Sequence, residues 1–159
     1  MPRVRAFRVY DHGVALFLIR RDSALDAVEA WRRLTDWERH ADVVPLTRIS
    51  VVTAPPVGVG TVFVARTGVG AAGFDDPMEI TVWRPPGGSA AGLCRLVKRG
   101  RTVTGWAEIE VGAGPGGRGS RVVWREDAGV RGLPRAADPV VARAGRLMFG
   151  RAVDRLLRD

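Results

Sequence analysis

The stretch DPVVARAGRLMFGRAVDRLL, residues 138–157, reads as an amphipathic helix that closes the chain. Pro139 falls at an early helical position, where its missing N–H costs nothing. Val140, Val141, Ala144, Leu147, Met148, Ala152, Val153 and Leu156 make a broad apolar stripe. Arg143, Arg146, Arg151, Asp154, Arg155 and Arg158 form the wet side. Gly145 and Gly150 each weaken the helix, so tertiary packing must hold it. An Asp in place of Leu147 or Met148 is expected to unfold the domain, because an unpaired charge would enter its core.

What precedes this helix gives it something to cover. A short apolar run at residues 13–20 is consistent with a first strand. Asp22 or Ser23 can cap the helical patch that follows, with Asp26 in its first turn, where the helix dipole favours a carboxylate. There Ala24, Ala27, Val28, Trp31 and Leu34 fall on one stripe. Thr35-Asp36 reads as a break and second cap before a short helix through Trp37 to about His40. Strand-like runs then occupy residues 46–53, 61–67, 78–84, 93–99, 102–111 and 121–127, separated by Pro- and Gly-rich connectors. One antiparallel sheet exposes one apolar face, and a long amphipathic helix is its simplest lid. The fold class is α+β: seven strands and three helices, with no internal repeat. A single domain over residues 1–159, its core at about 13–157, accounts for nearly the whole chain.

Composition narrows the function. A length of 159 residues suits one domain with a real core. No run of about 18 apolar residues exists to span a membrane, and Met1-Pro2-Arg3-Val4-Arg5 does not begin a secretory signal. Cys94 is the only cysteine, which fits a reducing cytoplasm. The net charge of +8 raises the question of nucleic acid. Yet the arginines are scattered, from Arg3, Arg5 and Arg8 to Arg158, without interleaved aromatics, so a nucleic-acid partner is not expected. Lys98 is the only lysine, and Asn and Gln are absent, as in a chain written by a GC-rich genome.

Several segments carry a resemblance. They are Trp31-Arg32-Arg33-Leu34-Thr35-Asp36-Trp37-Glu38-Arg39, Pro56-Val57-Gly58-Val59-Gly60-Thr61, Asp76-Pro77-Met78-Glu79 through Trp83-Arg84-Pro85-Pro86, and Arg121-Val122-Val123-Trp124-Arg125-Glu126. Together with the element order, they resemble the SRPBCC superfamily (START and Bet v1-like proteins), in particular its bacterial polyketide cyclase/dehydrase-type members. The resemblance implies a helix-grip fold, a seven-stranded antiparallel sheet curved around the C-terminal helix, with a hydrophobic cavity between them. It also implies a hydrophobic or aromatic ligand, polyketide- or lipid-like, held by a carrier, a sensor or an enzyme. Fold alone does not choose among these. No cofactor or metal is called for, and the oligomeric state, monomer or homodimer, is open.

The expected lining follows from this frame: Trp37, Phe63, Met78, Ile80, Val82, Trp124, Ala144, Leu147 and Met148. Trp31 and Trp37 also read as plain core. On the last strand, alternation puts Val122, Trp124 and Glu126 on one face. Glu126 then points into the cavity, placed for proton abstraction beside a ketone. Arg66 shares a face with Val62 and Val64, as a buried cation for an enolate or carboxylate. Asp36 and His40 at i, i+4 read first as a solvated helix end, and otherwise as an oriented imidazole. In a cyclase or dehydratase, Glu126, Arg66 and His40 would be base, anion stabiliser and proton shuttle. Trp83 and Trp106 fall outside unless a bulge shifts the register. Gly68-Val69-Gly70-Ala71-Ala72-Gly73 matches G-x-G-x-x-G, but a strand follows where a nucleotide site needs a helix, so it reads as a hairpin tip. Cys94 reads as a small strand residue.

Overall fold

The computed structural model describes residues 15–158. The expectations for Gly13 and Val14 as the start of the first strand, and for Arg3, Arg5 and Arg8, lie outside these residues. The elements run β1 (Ala15–Ser23), α1 (Ala27–Leu34), α2 (Trp37–Val43), β2 (Thr47–Val51), β3 (Val62–Thr67), β4 (Phe74–Arg84), β5 (Gly92–Arg99), β6 (Val103–Ala113), β7 (Ser120–Val130) and α3 (Asp138–Leu156). The strands form one antiparallel sheet in the order β1-β7-β6-β5-β4-β3-β2. The first strand therefore pairs with the last. This is the α+β helix-grip arrangement that the element order implies.

Alternation assigns the faces. On β5, Cys94, Leu96 and Lys98 are buried, and on β7 so are Val122, Trp124 and Glu126. Trp124 stands opposite Ile19 on one side and Ile109 on the other, which makes a continuous inner layer. The outer face is polar. Arg95 pairs with Glu108 at 2.6 Å and covers the Trp106 ring, its guanidinium carbon 4.6 Å from the ring centroid. Trp106 thus stays on the outer face.

A bulge reassigns β4. The pairing with β5 slips between Ile80 and Val82, so Val82 faces Arg95 and Trp83 faces the fully buried Cys94. An extra residue flips every later side chain. Val82 is therefore an outer-face residue, contrary to its expected place in the lining. Trp83 takes the inner position, edge-on to Trp31 at 5.1 Å. Pro77 is tolerated because it lies just outside the β5 ladder, which begins at Met78.

The first helix starts later than its sequence suggests. Asp22 is drawn into β1, where Arg121 on the neighbouring strand donates to it at 2.8 Å. Capping passes to Asp26, whose carboxylate accepts the Glu29 backbone N–H at 2.8 Å. Ala24 consequently lies outside the helix, and Val28 is exposed. Trp31 and Leu34 are buried as the stripe required. The corner between α1 and α2 is closed by His40, whose Nε2 lies 2.9 Å from the Leu34 carbonyl oxygen. His40 is therefore no solvated helix end. Only 4 % exposed, it is part of the interior.

Helix α3 is seated by its C-terminal half. Gly150, Ala152, Val153 and Leu156 are buried, while Val140, Leu147 and Met148 are exposed. The apolar arc is wider than the face that meets the sheet, so the expectation that Leu147 and Met148 sit in the core fails. Leu147 borders a surface cleft with Arg143, Arg146 and Arg151 instead. Gly145 has a positive role here: a Cβ at that position would come within 2.6 Å of the Phe17 ring. Helix and β1 approach closely at that point because there is no side chain between them.

Two outcomes are expected. Val153→Asp should cost more than about 3 kcal/mol in urea unfolding, and Leu147→Asp less than about 1 kcal/mol. Equal losses would contradict the register of α3. Burial pushes the His40 pKa down from 6.5, against the opposing pull of the Leu34 carbonyl and the Asp36 charge. A folded-state pKa below the unfolded one means stability is fully present above about pH 6.5 and is lost as pH falls from there. His40→Phe, whatever its own cost, should flatten the decline of Tm between about pH 7 and pH 5. An unchanged slope would contradict a neutral, buried His40.

Candidate functional site

Between the inner sheet face and the N-terminal half of α3 lies a cavity of about 340 Å³. That is near the lower end of small-molecule sites, which run about 300–1,000 Å³. Its walls are largely aromatic. Trp37 stacks on Phe63 at 4.6 Å, and Trp124 stacks on Phe149 at 5.4 Å, which in turn meets Phe17 at 5.8 Å. Val141, Ala144 and Met148 of α3 form the roof. Ala144 and Met148 are exposed while still lining the space. The residues lining the cavity come from α2, α3 and strands on both sides of the sheet, so the fold itself assembles the site.

The floor carries charge. Lys98 Nζ donates to Asp76 Oδ2 at 2.8 Å and forms an ion pair with Glu126 Oε1 at 3.1 Å. Its third neighbour is Met78 Sδ at 3.7 Å. The Lys98 and Glu126 side chains are 4 % and 3 % exposed, so this cluster is inside the protein. Burial alone would pull the Lys98 pKa down, but the charges of Glu126 and Asp76 outweigh it and hold the ammonium protonated. Glu126 Oε2 also accepts the Trp124 indole N–H at 3.1 Å. Asp76 Oδ1 is buried without a hydrogen-bond partner among the described residues. His40 lines the same cavity. Its Nε2 donates to Leu34, which assigns the proton to that nitrogen and leaves Nδ1 with a lone pair.

The structure brings Trp37, His40, Phe63, Met78, Trp124, Glu126, Ala144 and Met148 to this cavity. Ile80, Val82, Leu147 and Arg66 are elsewhere. Ile80 is fully buried in the core, and Val82 and Leu147 lie where the bulge and the helix register put them. Arg66 belongs to the outer face of β3, since Phe63 and Ala65 take the inner positions. Its guanidinium is half exposed and bonds Asp75 at 2.9 Å. It is no buried cation, and the expected trio of Glu126, Arg66 and His40 does not converge.

The cation on the cavity floor is Lys98, which the sequence reading noticed without placing. Two signals pointed to it: it is the only lysine among 25 basic residues, and alternation puts it with Cys94 and Leu96. Asp76 gives no such sign, falling between the strand-like runs 61–67 and 78–84. Two other features recede. The glycine motif makes a single 3-10 turn, Gly70–Ala72, at the tip of the β3–β4 hairpin. The Cys94 thiol, pushed up to about 12 by burial, is inert at neutral pH.

No family model matches the sequence, and no curated protein does. Solved structures do resemble the fold. A START superfamily protein from Mycobacterium smegmatis is 10% identical, with a TM-score of 0.69 over 89% of this chain and 96% of its own. Ara h 8.0201 is 13% identical, with a TM-score of 0.58 over 92% of this chain and 99% of its own. The Zhui aromatase/cyclase from a Streptomyces species is 17% identical, with a TM-score of 0.54 over 89% of this chain and 85% of its own. At these identities the likeness is one of fold. The chain shares the helix-grip fold of these structures, a seven-stranded antiparallel sheet with a long C-terminal helix packed against it.

Proposed function

We propose that this protein binds a hydrophobic, aromatic small molecule in the cavity under α3. The observation that carries the reading is the aromatic wall, two stacked pairs lining a space of about 340 Å³, with few polar groups converging on it. Flat apolar surfaces of this kind suit a ring system, and burial of such a ligand supplies the driving force. The polar cluster then fixes orientation. Among the described residues no helix is long and apolar enough to cross a membrane.

A carrier or sensor role fits this arrangement better than catalysis. A cyclase or dehydratase acting on a polyketide-like chain needs a base and an anion stabiliser at one reacting carbonyl. His40 is a neutral imidazole within the cavity, available as a base. Its expected companion Arg66 points away, and Lys98 is already engaged by two carboxylates. The polyketide cyclase reading therefore stands second. It would be favoured if a bound β-carbonyl chain were recovered altered, with His40→Ala abolishing the change.

The binding reading is tested with N-phenyl-1-naphthylamine, a neutral probe that brightens in apolar surroundings. It should bind the wild type at micromolar concentration with one site per chain. Ala144→Trp and Met148→Trp, which fill the space from the roof, should weaken binding at least about tenfold while leaving Tm nearly unchanged. No enhancement in the wild type, or undiminished binding in both variants, would overturn the proposal.

A further inference from the structure

We propose that the cavity selects apolar ligands bearing a hydrogen-bond donor, an ammonium ahead of a hydroxyl, and rejects carboxylates. This rests on the binding reading above and adds the chemistry of the headgroup.

The cavity side chains have their donors engaged and acceptors to spare. An ammonium has three N–H donors, and those of Lys98 meet Asp76 Oδ2, Glu126 Oε1 and Met78 Sδ. The Trp124 indole N–H goes to Glu126 Oε2, and the His40 Nε2–H goes to the Leu34 carbonyl. The hydroxyls of Thr47 and Thr67 bond each other at 3.0 Å, and that of Thr47 reaches the Pro45 carbonyl at 3.2 Å. The uncommitted capacity is of the other kind. Asp76 is 8 % exposed and its Oδ1 is buried without a partner, and His40 keeps the lone pair on Nδ1.

Charge points the same way. Two carboxylates face one ammonium, a formal excess of one negative charge away from water. Such an excess is costly unless it is compensated. A ligand ammonium supplies the missing positive charge together with donors. A hydroxyl supplies a donor alone. A ligand carboxylate supplies neither, and would bring a third negative charge to the floor. The indole N–H of Trp37 is the one uncommitted donor on these walls among the described residues. A single neutral N–H does not hold a carboxylate against that field.

The test is a series on one ring system: 2-methylnaphthalene, 2-naphthylmethanol, 2-naphthylmethylamine and 2-naphthoate, each titrated by calorimetry into the wild type at pH 7. The amine should bind about tenfold more tightly than the alcohol, and the carboxylate at least about a hundredfold more weakly than the amine. Asp76→Asn keeps an acceptor for Lys98 and removes one charge, so it should cut the preference for amine over carboxylate at least about tenfold. Amine and carboxylate binding within a factor of about three, or the carboxylate binding more tightly, would overturn the proposal. So would an Asp76→Asn variant with an unchanged preference. If that variant fails to fold, the wild-type series decides alone. Binding of 2-methylnaphthalene without headgroup preference would leave the cavity reading standing and sink only this inference. Failure of all four ligands would sink both.

Discussion

One helix has to cover a face much wider than itself. Seven strands at about 4.8 Å spacing make a sheet about 29 Å across, while a helix with its side chains is about 10 Å wide. The 19 residues of α3 give it a length of about 28 Å, enough to cross the sheet but not to blanket it. Its C-terminal half is pinned by Val153 and Leu156, and just before the midpoint Gly145 lets the helix approach Phe17 closely. Helices α1 and α2 fill one flank with Trp31, Leu34 and Trp37. What is left over is the cavity, a consequence of the geometry and of a lid held mainly at one end.

Placing Lys98, Asp76 and Glu126 at the bottom of that space is an expensive choice. Buried ion pairs are weak sources of stability, yet removing one partner typically costs about 3–5 kcal/mol. A floor of leucines would serve the fold as well. A chain that writes every other basic residue as arginine keeps a lysine here. The compact ammonium fits between two carboxylates and the Met78 sulfur, where a planar guanidinium would demand more room and a different donor geometry. The cluster and the neutral His40 give an otherwise apolar cavity its polarity, and hence its capacity to discriminate.

Much of the architecture was legible because hydrophobic periodicity changes along the chain, from helical before Pro45 to alternating through β7 and helical again in α3. Glu126 and Trp124 were assigned correctly to the inner face because β7 alternates cleanly. Arg66 was misassigned because Val62, Phe63, Val64 and Ala65 are apolar on both faces, so period alone gives no sign of which is inward. Val82 failed for another reason: one extra residue in β4 inverts the faces beyond Ile80, and nothing local announces it. Asp76 and Lys98 are 22 residues apart and meet only through the β4–β5 register, which pairs Met78 with Lys98. A partnership of that kind is a property of the sheet and is invisible in either strand alone.

The central claim is that α3 is seated at its C-terminal end and leaves a ligand-sized space above a charged floor. The most direct measurement is a crystal structure of the protein bound to 2-naphthylmethylamine. The account predicts a ring held within the aromatic walls under Met148, with its nitrogen toward Asp76 or His40. A helix collapsed onto the sheet with no space beneath it, or a ligand found only on the surface, would contradict the account.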